Sequence, residues 1–431
     1  MHAYSTEPGI AALSCLRCGT QQRPDHPIDA KGCPACGAVA PSNFELVYTD
    51  AALQARKAPL RPPSGSFLRH IDYLPIEAED LVSLGEGDTP LMAAEKLGSA
   101  LDIGNLRIKD ESRNPTWSHK DRFSAIAVSY ARRQGHRFIA TASSGNAGAS
   151  LAAYAAKAGL GCLVVTFKGA AGPMVEQIRR YGALVVELED KTQRWPLLAE
   201  GVRRFGWFVT SPFAAPVVGS NPIGIEGYKT IAYEIIAQSD GGVPDWVVVP
   251  MAYGDVLRGI WRGFRDLFDA GHIARLPRMA AAEIHGSIQQ SLSAGVDAIP
   301  AVQPRWQSQA LSIGTLQGSF QSLATIRESG GITAVVEDDA LWAMQSNLAR
   351  MEGLFGELAG VAGLAAAAQL RQRGMIDAGQ SVVCVMTASG LKDIDQKPPT
   401  SPRVHDGAGD WASFEQMLAE FCPQALVGRE G

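Results

Sequence analysis

The densest chemistry in the chain lies in NPTWSHKDRF, Asn114 to Phe123, where His119, Lys120, Asp121 and Arg122 follow a proline turn. Alternating charge of this kind is commonly the wet first turn of a helix. A lysine taken out of water beside other cations behaves differently. Its pKa falls below the free value of ~10.4, and the neutral amine can attack a carbonyl or take a proton. A second group is Cys15, Cys18, Cys33 and Cys36, which form the two knuckles CLRCG and CPACG with fourteen residues between them. That spacing fits tetrahedral zinc thiolate coordination, with a structural role pinning the N-terminal segment. Cys162, Cys384 and Cys422 stand alone.

Three loops offer binding groups. SSGNAG, Ser143 to Gly148, presents Ser143, Ser144, Gly145 and Asn146 before a helix, where hydroxyls and backbone N–H groups suit a carboxylate or phosphate. In PMAYGDVLRG a strand ends at Pro250 and a helix begins near Val256, so Ala252, Tyr253, Gly254, Asp255 and Val256 make a phosphate nest. Only Gly254 has free backbone geometry there, and Asp255 repels a dianion unless it points away. Tyr253 can donate its hydroxyl to a phosphate and Arg258 can reach back towards it. In TASGLKD, Thr387 and Ser389 place hydroxyls at a strand's carboxyl end, although Ser389 equally suits a helix cap.

The elements that must position these loops alternate. LRIKDE is a short strand, FSAIAVSYARRQG a helix closed by Gly135, RFIATASSGN a strand into a turn, and AGASLAAYAAKAGL the next helix. CLVVTF, ALVVELE, DWVVVPM, RMAAAEIHG and QSVVCVM continue the series, and GLFGELAGVAGLAAAAQL reads as a packed helix. Val-rich strands separated by helices indicate mostly parallel sheets covered on both faces, with ligands at the strands' carboxyl ends. The expected class is α/β: two three-layer αβα domains plus a small zinc ribbon. The ribbon takes 1–45, a larger domain 46–117 and 225–396, and a smaller domain 118–224. A Pro/Gly linker, APLRPPSGS, interrupts the larger domain, and 397–431 is a linker and a short helix bearing Trp411, Phe414, Met417, Leu418 and Phe421 that docks on the body or on a partner subunit.

With 431 residues and a net charge of -5, the chain is long enough for two domains and too acidic for nucleic acid or anionic membrane as a main partner. It shows no bilayer-spanning run and no signal peptide, so the cytoplasm is expected. No GxGxxG turn follows an early strand, which weighs against a dinucleotide enzyme.

Taken in order, EGDTPL, KDESRNPTWSHKDR, ASSGNAGASLAAYAAKAG, EGLFGELAGVAGLAA and VVCVMTASGLKD resemble the threonine synthase group of fold-type-II (tryptophan synthase β-like) pyridoxal-phosphate enzymes. The paired CxxC knuckles resemble its zinc-ribbon-bearing members. The resemblance implies pyridoxal 5'-phosphate as cofactor, Zn2+ in the ribbon, an amino-acid substrate and a homodimer. It makes Lys120 the lysine that forms a Schiff base with the cofactor, with His119 and Arg122 supplying the field that lowers its pKa. Asn146 lies beside the phenolic oxygen, Thr387 meets the pyridine nitrogen, and 252–256 hold the phosphate. Ser143, Ser144 and Gly145, with Trp117, His119 and Arg122, surround the substrate.

The chain departs from that pattern at Trp117 and His119, where the group commonly has glycine and phenylalanine, and in its glycine-poor phosphate loop. The implied reaction is conversion of O-phosphohomoserine and water to threonine and phosphate. The departures leave open a β-eliminating or β-replacing lyase acting on a serine-, phosphoserine- or diaminopropionate-like substrate, and, less readily, a non-catalytic relative.

Overall fold

The computed structural model describes residues 9–59, 61, 67–143, 145–170, 172–239, 242–396 and 409–426. An antiparallel sheet of order β2-β1-β3 comes first, from Ile10–Cys15 (β1), Gln21–Gln22 (β2) and Phe44–Tyr48 (β3). β4 (Leu91–Ala93) and β5 (Asn105–Asp110) then begin a second sheet. The chain leaves it to build a four-stranded parallel sheet, β8-β7-β6-β9, from Phe138–Ala142 (β6), Gly161–Phe167 (β7), Leu184–Leu188 (β8) and Phe208–Val209 (β9). It returns with Trp246–Pro250 (β10), Arg278–Glu283 (β11), Ile332–Val335 (β12) and Ser381–Met386 (β13), completing the order β12-β11-β10-β13-β5-β4. All neighbours in this sheet are parallel except β4 against β5.

The Val-rich strands alternate between two cores. Val247, Val249, Val383 and Val385 enter one core, while Trp246, Val248, Val382 and Cys384 enter the other. This is the period-2 side-chain rule operating on a sheet with two dry faces, which is why these strands show no polar alternation. Leu257, Ile260 and Phe264 of one helix, Asp255–Asp269, cover the first face; Leu364 and Ala366 of Ala362–Gln372 cover the second. The helices that matter below are α1 (Lys120–Arg133), α2 (Asn146–Ala158), α3 (Lys229–Ala237), α4 (Asp255–Asp269), α5 (Phe320–Glu328) and α6 (Ala362–Gln372).

One expected helix is shorter than its sequence pattern. Within GLFGELAGVAGLAAAAQL the helix starts only at Ala362, and the preceding residues are irregular. The Glu357 N–H donates to the Ala388 carbonyl at 3.0 Å rather than to a helical partner, so this glutamate hangs from a loop. β3, β9 and β12 carry no strong strand pattern and were not expected. Most of APLRPPSGS, and 397–408 of the tail, lie outside the described residues. The C-terminal unit, Gln396–Gly431, contains the helix Trp411–Phe421, capped by Asp410, whose carboxylate accepts from the Ser413 N–H at 2.9 Å. Among the described residues no helix is long and apolar enough to cross a membrane.

Candidate active site

Three distant segments are stitched together around Lys120. The His119 N–H donates to the Thr387 carbonyl at 2.9 Å, the Ser389 N–H to the Trp117 carbonyl at 3.1 Å, and the Gly390 N–H to the Phe355 carbonyl at 2.9 Å. Trp117 makes this possible by adopting φ 67°, a left-handed conformation costly for a bulky residue. Its indole is 48% exposed. Lys120 then opens α1, and its Nζ donates to the Tyr228 hydroxyl at 3.2 Å. Burial lowers the pKa of this amine, against the opposing pull of Asp255 and Glu357.

The neighbours expected to tune Lys120 do something else. His119 is itself buried and held neutral, chiefly by desolvation; its Nδ1 lies 3.1 Å from the Thr387 carbonyl and its ring stacks on Tyr228. Arg122 is fully buried, and its guanidinium is taken up by carboxylates. It is bidentate to Glu111, at 2.7 and 2.8 Å, and to Glu234, at 2.6 and 2.7 Å. Lys109 Nζ completes the cluster by donating to Glu234 at 2.7 Å. Two cations and two anions with no exposure hold the base of α1 against β5 and α3.

Ser143 and Asn146 divide the expected roles of their loop. Ser143 Oγ accepts the Gly148 N–H at 2.9 Å and the Gly145 N–H at 3.2 Å, so it closes the first turn of α2. Ser144 lies outside the described residues. Asn146 Nδ2 donates to Glu357 Oε2 at 2.8 Å, while its Oδ1 is buried without a hydrogen-bond partner. Burial, reinforced by repulsion from Asp393, pushes the Glu357 carboxyl up to about 7. A protonated Glu357 can donate to the amide oxygen, which turns the Asn146 NH2 to the unpartnered side. Thr387 is buried at the end of β13, whereas Ser389 caps a short 3-10 turn by accepting the Leu391 N–H at 3.3 Å.

At the other end, Gly254 precedes α4 with φ 82°, and a Cβ there would overlap Ser322 Oγ, itself buried without a partner. Asp255 points away from the helix mouth. It accepts from the Ser220 N–H at 3.0 Å, Ser220 Oγ at 2.6 Å and Gln321 Nε2 at 2.6 Å. Arg258 does not reach back towards a phosphate; it pairs with Glu45 and, at 2.8 Å, with Glu328. Tyr253 keeps its hydroxyl protonated through burial, with Arg194 nearby.

Lys120, Tyr228 and Ser220 line a common cavity of about 30 Å³ with Ser124 and Thr141, whose Oγ1 is also buried without a partner. The lysine and the ties of the α4 N-terminus therefore share one space. A desolvated amine, an unsatisfied Asn146 amide, a buried neutral hydroxyl at Thr387 and free N–H groups on a 15-residue helix fit pyridoxal phosphate. Tyr228, Ser220 and Gln321 were not singled out from the sequence. Ser220 and Gln321 both hold Asp255, and Ser220 also lines the cavity.

The four N-terminal cysteines offer sulfurs all within 4.8 Å of one another, with Cys15 to Cys36 and Cys18 to Cys33 both at 3.7 Å. These separations exclude disulfides and suit a shared metal ion.

The family described as pyridoxal-phosphate dependent enzyme matches residues 82–388. The chain is 33% identical over 393 residues to a threonine synthase of Methanocaldococcus jannaschii, covering 88% of this chain and 93% of that protein. Among solved structures it superposes on a pyridoxal 5'-phosphate-dependent aspartate racemase with a TM-score of 0.61 and 23% identity, covering 72% and 93% of the two chains. It also superposes on a threonine deaminase of Solanum lycopersicum with a TM-score of 0.60 and 20% identity, covering 76% and 92%.

Proposed function

The chain belongs to the pyridoxal-phosphate-dependent enzyme family, and from that premise we propose a lyase of the threonine synthase kind, converting O-phosphohomoserine and water to threonine and phosphate. The supporting observation is the convergence of Lys120, Asn146, Thr387 and the α4 N-terminus, in a chain similar to a threonine synthase over most of its length. When bound, the cofactor supplies an electron sink next to the substrate's α-carbon. Lys120, whose pKa burial lowers, would remove the α-proton, with the Tyr228 hydroxyl orienting the amine. The N–H groups at the first turn of α2 that Ser143 does not cap receive the substrate carboxylate. The neutral Thr387 hydroxyl serves the ring nitrogen and so favours elimination and replacement over transamination. The backbone of Ala252 to Val256 receives the cofactor phosphate.

We further assign Zn2+ to the four cysteines, residues 46–117 with 225–396 to a larger cofactor-binding domain, 118–224 to a smaller one, and a homodimer in the cytoplasm. Trp117 favours a second reading. Its bulk, three residues before the lysine where the group commonly has glycine, would narrow the approach and suit a serine-, phosphoserine- or diaminopropionate-like substrate. Adding each candidate separately while following the cofactor spectrum and phosphate release distinguishes the two. Phosphate released from O-phosphohomoserine, with threonine formed, supports the first; an unchanged spectrum with that compound excludes it.

A further inference from the structure

Asn43 connects the cysteine module to the N-terminus of α4 through a continuous run of hydrogen bonds. The Cys33 N–H donates to the Ser42 carbonyl at 2.9 Å, and the Leu16 N–H, inside the first knuckle, donates to the Asn43 carbonyl at 3.1 Å. Both knuckles therefore fix the Ser42–Asn43 backbone. The Asn43 side chain, 3% exposed, accepts the Phe44 N–H at 2.9 Å through Oδ1 and donates through Nδ2 to the Ser220 carbonyl at 3.0 Å. Ser220 in turn gives both its N–H and its hydroxyl to Asp255, the first residue of α4.

The junction is built for close approach. Gly219 has φ 128°, and a Cβ there would lie 2.5 Å from Gln321 Nε2 and 2.9 Å from Asn43 Nδ2. A second tie runs parallel: Glu45, on β3, pairs with Arg258 and Arg262 of α4. The physical consequence concerns Asp255. With Ser220 and Gln321 holding it, its charge faces away from the helix mouth; released, it would turn a carboxylate towards any dianion there.

We propose that Asn43 is a positioning residue for the cofactor, holding Ser220 and through it Asp255 so that the first-turn N–H groups of α4 face the phosphate. Metal held by the four cysteines thereby tightens cofactor binding from outside the active site. This rests on the reading that α4 receives the phosphate.

Asn43→Asp tests it, because the carboxylate keeps the acceptor for the Phe44 N–H and loses the donor to Ser220. Absorbance titrations of the full-length chain, stripped of cofactor, would compare pyridoxal 5'-phosphate with unphosphorylated pyridoxal. The phosphorylated form is expected to bind about tenfold more weakly in the variant, with pyridoxal unchanged. Chelating the metal should cause the same selective loss in the wild type and little further loss in Asn43→Asp. Equal weakening of both compounds, or no weakening, overturns the proposal. If Asn43→Asp does not fold, Ser220→Ala, which keeps the backbone N–H to Asp255, is expected to give a smaller loss of the same selectivity; an unselective loss overturns the proposal equally. A wild type with no preference for the phosphorylated compound would remove the phosphate assignment of α4 itself.

Discussion

Two positions along a helix turn a side chain by about 200°, so Lys120 and Arg122 point to opposite sides of α1. Phe123 and Ser124, three and four residues on, share the lysine's side and its cavity. The amine is thus set by burial and by Tyr228, not by the charges beside it in sequence. Tyr228→Phe removes its hydrogen-bond partner and is expected to lower kcat about tenfold while cofactor remains bound. An unchanged kcat would deny Tyr228 an orienting role. Glu357 has a folded pKa of about 7, above its ordinary 4.5. The folded chain therefore holds more protons between those values. The stability this group contributes is whole below the window and is lost as pH rises through about 7. Glu357→Gln is expected to flatten that loss, worth at most about 3 kcal/mol, in denaturant titrations compared at pH 5 and pH 8. Equal pH dependence in both proteins would refute the assignment.

The beginning of α1 is held by a cluster with no exposure, in which Arg122 and Lys109 balance Glu111 and Glu234. Such a cluster is costly to assemble, because every charge is desolvated, and costlier to break. Arg122→Ala leaves two carboxylates facing only Lys109, and a destabilisation of about 3–5 kcal/mol is expected in urea unfolding. A loss below ~1 kcal/mol would mean that water enters the cluster and that it does not clamp the helix. α4 is anchored differently. Its mouth is kept clear by the ties on Asp255, and its second turn is held by Glu45 and Glu328, which is why Arg258 is unavailable to a phosphate.

The N-terminal sheet enters the molecule's main apolar core: Leu13, Phe44, Leu46 and Tyr48 belong to the core that also contains β10 and α4. Buried polar contacts reinforce the attachment, with the Tyr48 hydroxyl donating to Glu226 at 2.6 Å. A cysteine module mounted in this way is tied into the fold of the whole and is more than an appendage. Cys36→Ser is expected to reduce bound zinc, measured by metal analysis, and to lower the melting temperature by several degrees. Full zinc content or an unaltered melting curve would count against a shared four-sulfur site.

The cysteine knuckles, Lys120, Asn146 and Thr387 could be singled out in the sequence because the chemistry proposed for each is carried by residue type and local order. The alternation of Val-rich strands with helices likewise announced parallel sheets, since periodicity is a local property. Tyr228, Ser220, Gln321 and Asn43 were not legible. Their partners lie far along the chain, 108 residues separating Lys120 from Tyr228 and 177 separating Asn43 from Ser220, and nothing near them records the pairing. Arg122 and Arg258 lie away from the groups beside them in sequence for a related reason. A long cation goes where helix phase and a buried counter-charge send it, and both are properties of the packed chain. Reactive groups are thus written in the one-dimensional order of residues, while protonation, reach and orientation depend on desolvation and partners that exist only once distant segments meet.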